Sequence, residues 1–274
     1  MISYIIILII LIVLFTSLYV IKVSFIKPCL KSLKKSDVRV EVVVSRYNED
    51  VTWLEDPTFA SHHITCYNKG PKLSNKIALN ILDLPNVGRC DHTYLYHIVK
   101  NYDRLADVTV FLPASCLDGS KACNTLQLMQ AVMRTKTTVL QNTFGYNRDV
   151  REDLYDFTLD DWKASNPSNS ALNPEQKLLP SPVRPFGKWF DLNFPRCPPI
   201  HVICYFGIFA VARQHITQHP RSRYEALLSY LDHHSNPEAG HYTERSWGAV
   251  FYPYPSSCIH EVDQQLCYNN YGVS

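Results

Sequence analysis

Three short clusters in this 274-residue chain bring carboxylates, cations and aromatic rings close enough together to do chemistry. The first is Ser45-Arg46-Tyr47-Asn48-Glu49-Asp50, with a cation, an amide and two carboxylates side by side. Such a set can grip a polar ligand. It can equally be a solvated turn in which Asn48 or Asp50 caps a helix over 51–55. The second cluster runs from Leu84 to Tyr94. Gly88 permits a turn with close backbone approach, and Arg89 offers a planar fork suited to phosphate. Asn86 and His92 flank them. A helix starting here points unpaired N–H groups and the positive end of its dipole at an anion, a sensible diphosphate site. The plainer reading is a capped helix with a surface Arg and His. The third cluster is His241-Tyr242-Thr243-Glu244-Arg245-Ser246-Trp247. A carboxylate beside an aromatic ring and a cation can take a proton from a hydroxyl. Alternatively, Trp247 is core and Glu244–Arg245 an ordinary surface pair.

Other groups say less. His215 and His219 have i,i+4 spacing, but no Glu follows His215 to complete a zinc-protease motif. The cysteines include no Cys-x-x-Cys pair, so a zinc site of that kind is not expected. Ser115 and Ser246 lack the Gly-x-Ser-x-Gly setting of a nucleophile elbow. Asp118 lies a few residues beyond an apolar run and is within reach of a divalent cation, Mg²⁺ or Mn²⁺.

Positioning these groups requires a scaffold, and the patterning indicates an α/β one. Val38–Ser45 is a β-branched, nearly continuous apolar run, as expected of a strand buried on both faces. His63–Tyr67 and Asp107–Leu112 read as further strands. Between them, Asp91–Tyr102 reads as a helix capped by Asp91, with Tyr94, Leu95, Ile98, Val99 and Tyr102 on one face. Strand, helix and strand in alternation imply a mostly parallel sheet flanked by helices, where ligands bind at the carboxyl ends of the strands. Leu126–Arg134 and Arg221–Leu231 are expected as helices. His201–Val211 should be a strand or a strand-turn-helix broken at Gly207. Glu244–Tyr252 should be a short helix or strand. Residues 141–200, rich in Pro, Asn and Asp, read as a long loop, and the tail from Pro253 as irregular.

Residues 1–21 carry no charge and are almost wholly apolar, long enough for one membrane helix. Residues 22–37 form a basic linker, and 38–274 the body. Lys22, Lys27, Lys31, Lys34, Lys35 and Arg39 follow the span against the single acid Asp37, which places the body on the cytosolic side. The alternative is a lumenal type II orientation, in which some cysteines would pair. No Asn-x-Ser/Thr acceptor sequon is present, and the nine cysteines read as mostly reduced, buried thiols. A formal charge of +2 gives a nucleic-acid partner no electrostatic footprint.

The segments VVVSRYNEDVTWL (42–54), CYNKG (66–70), LPNVGRCDHTYLYHIVKNYDRLADVTVFL (84–112) and ERSWGAVF (244–251) resemble a glycosyltransferase-like domain of unknown function found in fungi and large algal viruses. The likeness covers most of 40–250 and extends more widely to glycosyltransferases of the GT-A fold. It implies a GT-A-like, Rossmann-like sheet and a nucleotide-sugar donor such as a UDP-sugar. A glycan hydroxyl would be the acceptor. By the same likeness, Asn48 and Glu49 would contact the base or ribose, and Arg46 and Arg89 would face the diphosphate. Phe206-Gly207-Ile208-Phe209 would line the acceptor side. Glu244 would be the base of an inverting transfer. One departure concerns the metal. Such enzymes place an Asp-x-Asp pair after the strand corresponding to 107–112, whereas this chain continues Leu112-Pro113-Ala114-Ser115 and has no carboxylate before Asp118. A catalytically silent, membrane-tethered glycan-binding module is the alternative.

Overall fold

A computed structural model describes residues 38–73, 80–160 and 177–271. The apolar segment 1–21 and the basic stretch 22–37 lie outside them. Among the described residues no helix is long and apolar enough to cross a membrane.

The elements in chain order are β1 (Val40–Arg46), α1 (Pro57–Ala60), β2 (His63–Asn68), β3 (Asn80–Asp83), α2 (Arg89–Asn101), β4 (Val108–Pro113), α3 (Lys121–Thr135), β5 (Leu140–Asn142), α4 (Val150–Asp153), α5 (Phe186–Asn193), β6 (Phe209–Ala212), α6 (Arg213–Thr217), α7 (Arg221–Leu228), α8 (Glu238–Phe251), β7 (Ile259–Glu261) and α9 (Gln264–Tyr271). Five strands form one sheet in the order β3-β2-β1-β4-β6. The first four are parallel and β6 runs antiparallel to β4. β5 and β7 pair separately.

The central position of β1 explains its composition. Val42, Val43 and Val44 are all completely buried, so neither face carries the polar alternation of a half-exposed strand. The mostly parallel sheet with flanking helices is thus the expected architecture. β3 is the strand the patterning missed. It is a short edge strand whose residues are largely exposed, so burial left little mark on its sequence.

Helices α2 and α8 cover one face of the sheet. Their shared core is aromatic, with tilted ring pairs: Tyr94 lies 4.9 Å from Phe111, Phe111 5.3 Å from Phe209, and Phe209 4.8 Å from Trp247. Further ties fix α2: Ser45 and Thr93 share a hydroxyl–hydroxyl bond of 2.9 Å, and the Tyr94 hydroxyl donates to the Gly207 carbonyl at 3.0 Å. α8 starts six residues before the expected Glu244 and is buried nearly all round, which erases the one-sided stripe that sequence periodicity depends on. Within the Pro-rich stretch, α5 folds around fully buried Phe186 and Trp189. Beyond Pro253 the chain adds β7 and α9 instead of an irregular tail.

One expectation is corrected. Asp91 does not cap α2. The helix begins from Gly88, and Asp91, in its first turn, is buried with its Oδ1 accepting the Trp247 indole N–H at 3.1 Å. The described cysteines are mostly thiols, as expected, with one pair joined. Cys123 of α3 and Cys267 of α9 form a disulfide, while Cys66, Cys90, Cys116, Cys197, Cys204 and Cys258 are free.

Candidate active site

The carboxyl ends of β1, β2, β3 and β4 and the start of β6 share one edge of the sheet. The expected site residues divide there into two groups.

The first lies at the ends of β1 and β2. Arg46 is buried. Its Nε donates to the Glu49 carbonyl at 2.9 Å, and its Nη1 donates to Asn68 Oδ1 and to the Pro71 and Tyr47 carbonyls. The Glu49 carboxylate accepts the N–H groups of Tyr47 and Asn48 at 2.8 and 3.0 Å. Gly70 completes the corner, since a Cβ there would meet the Tyr47 carbonyl at 2.0 Å. Arg46 and Glu49 therefore build the turn that displays Asn48, which remains half-exposed.

The second group lies at the seam of α2 and α8. Gly88 (φ +56°) and Arg89 (φ +53°) are both left-handed, an unusual conformation for Arg. Lys69 holds them there. Its buried ammonium donates to the carbonyls of Val87 and Arg89, and burial lowers it to about 7. The Gly88 N–H donates to the His234 carbonyl at 2.7 Å, and an added Cβ would meet the Leu231 carbonyl at 2.5 Å. The start of α2 is thus covered by the 231–234 segment. His92 is buried there, its pKa lowered to about 4 chiefly by burial, and Asn86 sits half-buried on the preceding turn. The expected open anion cradle made with Gly88, Asn86 and His92 is closed on this side.

Across the seam stands Glu244. Its Oε1 accepts the Phe206 N–H at 2.9 Å, and its Oε2 lies 3.6 Å from Arg245 Nη1. Phe206 is itself left-handed at φ +65°, a costly conformation for a bulky side chain that this bond helps hold. Asp91 is pushed up to about 7, first by burial and then by the Glu244 charge, against the lowering influence of Arg89 and the Trp247 N–H. His241, one turn before Glu244, is pushed well below its usual range by burial and by Arg89 and Arg245, and so stays neutral. The structure brings Glu244 and Arg89 together and adds Asp91, Lys69, Cys90 and Arg245, of which sequence reasoning had weighed Asp91 only as a cap.

Beside Glu244 is a cup of rings. The Phe144 ring, 63% exposed, lies 5.3 Å from Tyr205 and 6.0 Å from Phe206, at interplanar angles of 59° and 71°. The Arg245 guanidinium lies 5.5 Å from the Tyr205 ring, and the Lys121 ammonium 5.8 Å from the Phe206 ring. Of the segment expected to line an acceptor, Gly207, Ile208 and Phe209 are core and only Phe206 reaches this cup.

At the end of β4 the described residues form no ligand set for a divalent cation. Asp118 is exposed on a turn whose backbone folds back on Ser115, and at the end of β4 the polar side chains are Ser115 and Lys121, joined by an ammonium-to-hydroxyl bond of 3.1 Å. Among the described residues no group of three or more His, Cys, Asp or Glu side chains is arranged to hold a metal ion.

These features define an α/β protein with a mostly parallel sheet flanked by helices, and a cluster of carboxylates and cations at the sheet's carboxyl edge. The chain belongs to the family described as "Protein of unknown function (DUF3431)", whose profile matches residues 42–270. No curated protein and no solved structure matches the chain.

Proposed function

We propose that this protein is a membrane-anchored glycosyltransferase of GT-A-like fold, moving a sugar from a nucleotide-sugar, such as a UDP-sugar, to a glycan hydroxyl. The observation that carries this reading is Glu244, oriented by the Phe206 N–H at the sheet's carboxyl edge, with cations and an exposed aromatic cup beside it. Glu244 takes the proton of the acceptor hydroxyl. The freed oxygen attacks the anomeric carbon from the face opposite the leaving group. The bond to the diphosphate breaks, and its electron pair leaves with the diphosphate. The tilted rings of Phe144, Tyr205 and Phe206 suit a puckered sugar ring better than a flat base, which favours the acceptor in the cup. Asn48, displayed by the Arg46–Glu49 turn, is the group left to contact the donor's base or ribose.

The Cys123–Cys267 disulfide bears on the compartment. Disulfides persist in oxidising surroundings, so it supports the lumenal type II orientation over the cytosolic one that flanking charge favours.

The same rings favour a second reading, a silent glycan-binding module. One experiment separates the two. The full chain, purified in detergent, is offered UDP-, GDP- and TDP-sugars with a mixed oligosaccharide acceptor, and released nucleotide is detected. Release from one donor that Glu244→Gln abolishes supports the transferase. Oligosaccharide binding that Glu244→Gln preserves, without release from any donor, moves the reading to the binding module.

A further inference from the structure

The end of β4 carries a cation where the resemblance expects carboxylates and a metal. Lys121 opens α3, and its ammonium donates to Ser115 and faces the Phe206 ring. Arg245 of α8 is packed between the Phe157 ring at 4.4 Å and the Tyr205 ring at 5.5 Å; its Nη1 donates to the His241 carbonyl at 2.9 Å and lies 3.6 Å from the Glu244 carboxylate. Two cationic side chains thus flank neighbouring rings next to Glu244, and the only carboxylate in the loop after β4, Asp118, is exposed on its outer turn. A divalent cation brought to this rim would meet like charge and no ligand set.

The geometry points to Lys121 as the group that holds the diphosphate of a nucleoside diphosphate, in place of a divalent cation. This rests on the transferase reading and specifies its donor site. As the glycosidic bond to the donor breaks, the electron pair stays on the β-phosphate oxygen. Its charge is then met by the Lys121 ammonium, while the acceptor's proton sits on Glu244, beside the Arg245 guanidinium. Lys121 is half-buried on a short tether to Ser115, so it can leave that hydroxyl for a phosphate without disturbing the core. Lysine is the suitable residue for a charge that must move with the leaving group, as a compact ammonium on a flexible stem.

The test is calorimetric binding of UDP, GDP and TDP to the full chain in detergent, each in EDTA and in Mn²⁺. One nucleotide should bind, with a Kd that differs less than about threefold between the two media. Lys121→Met should weaken it about tenfold or more, the scale of one hydrogen bond to a charged group, and Lys121→Arg should restore most of the affinity. Binding that appears only with Mn²⁺, or an unchanged Kd in Lys121→Met, overturns the inference and leaves the transferase standing. Silence from all three nucleotides in both media removes the donor reading itself, and this inference with it.

Discussion

At the carboxyl ends of β1 and β2, Arg46, Glu49 and Asn68 direct their hydrogen bonds to one another and to neighbouring backbone. At the seam of α2 and α8, similar residue types do the opposite. Asp91 is held against the charge of Glu244, two residues in succession adopt left-handed backbone, and Phe206 is kept in a costly conformation beside the carboxylate. A satisfied polar network stabilises its corner. A network with opposing charges and strained backbone costs stability, and such costs concentrate at working sites. The sequence offers both clusters as equals, and their wiring tells them apart.

The largest expected effect on stability is at the first region. Arg46→Met removes a buried cation that donates to several acceptors, each such bond contributing about 1.5–3 kcal/mol. We expect a loss of at least about 3 kcal/mol, which lowers Tm by about 6–12 °C for a domain of this size. Thermal unfolding measures it, and a shift under about 2 °C would erase the contrast between the regions.

Asp91→Asn should do the reverse. Asp91 titrates higher in the folded chain than its ordinary value of 3.8. The folded state therefore binds more protons than the unfolded state between about pH 4 and 7, and stability from this group falls as pH rises through that window. Asn keeps an acceptor for the Trp247 N–H and removes the charge. The variant should gain on wild type progressively from about pH 4 to 7 and hold a constant advantage above. Buried His92 and His97 titrate the other way, their pKa values lowered mainly by burial, but their contribution cancels in the difference curve. A flat difference between the two unfolding profiles would show that the seam is as relaxed as the β1 corner.

The smallest effect belongs to the rim. Phe144→Ala, at an exposed ring, should change stability by no more than about 0.5 kcal/mol. It should raise acceptor KM about two- to tenfold, the range of one aromatic contact, with donor turnover in the absence of acceptor unchanged. Equal losses in both would place Phe144 outside the acceptor cup.

The legible parts of the molecule are those where one physical requirement dominates. Val42–Val44 declare a doubly buried strand, and Tyr94, Leu95 and Ile98 declare the inner face of α2. Glu244 and Arg89 could be named because each falls in a cluster of chemically capable groups that the resemblance also marks, though a surface pair and a capped helix explained them as well. Asp91 was misread because a carboxylate in a helix's first turn has a local role available, and only the tertiary approach of Trp247 withdraws it. Lys69 and Lys121 look like surface lysines until β2 and β4 place their ammonium groups. The Cys123–Cys267 pair joins helices far apart in the chain, a match that spacing cannot reveal. The resemblance assigned Arg46 to the diphosphate, and in the fold its Nε and Nη1 are engaged by its own turn and by Asn68 and Pro71.

The central claim is that chemistry resides at the α2–α8 seam and centres on Glu244. Its most direct test is nucleotide release by Glu244→Gln, measured with its Tm. Loss of a general base should cut turnover about 10²–10⁴-fold while Tm holds or rises, since Gln can still accept the Phe206 N–H and no longer opposes the Asp91 charge. Turnover within about threefold of wild type at an unchanged Tm would contradict the account and move the chemistry elsewhere.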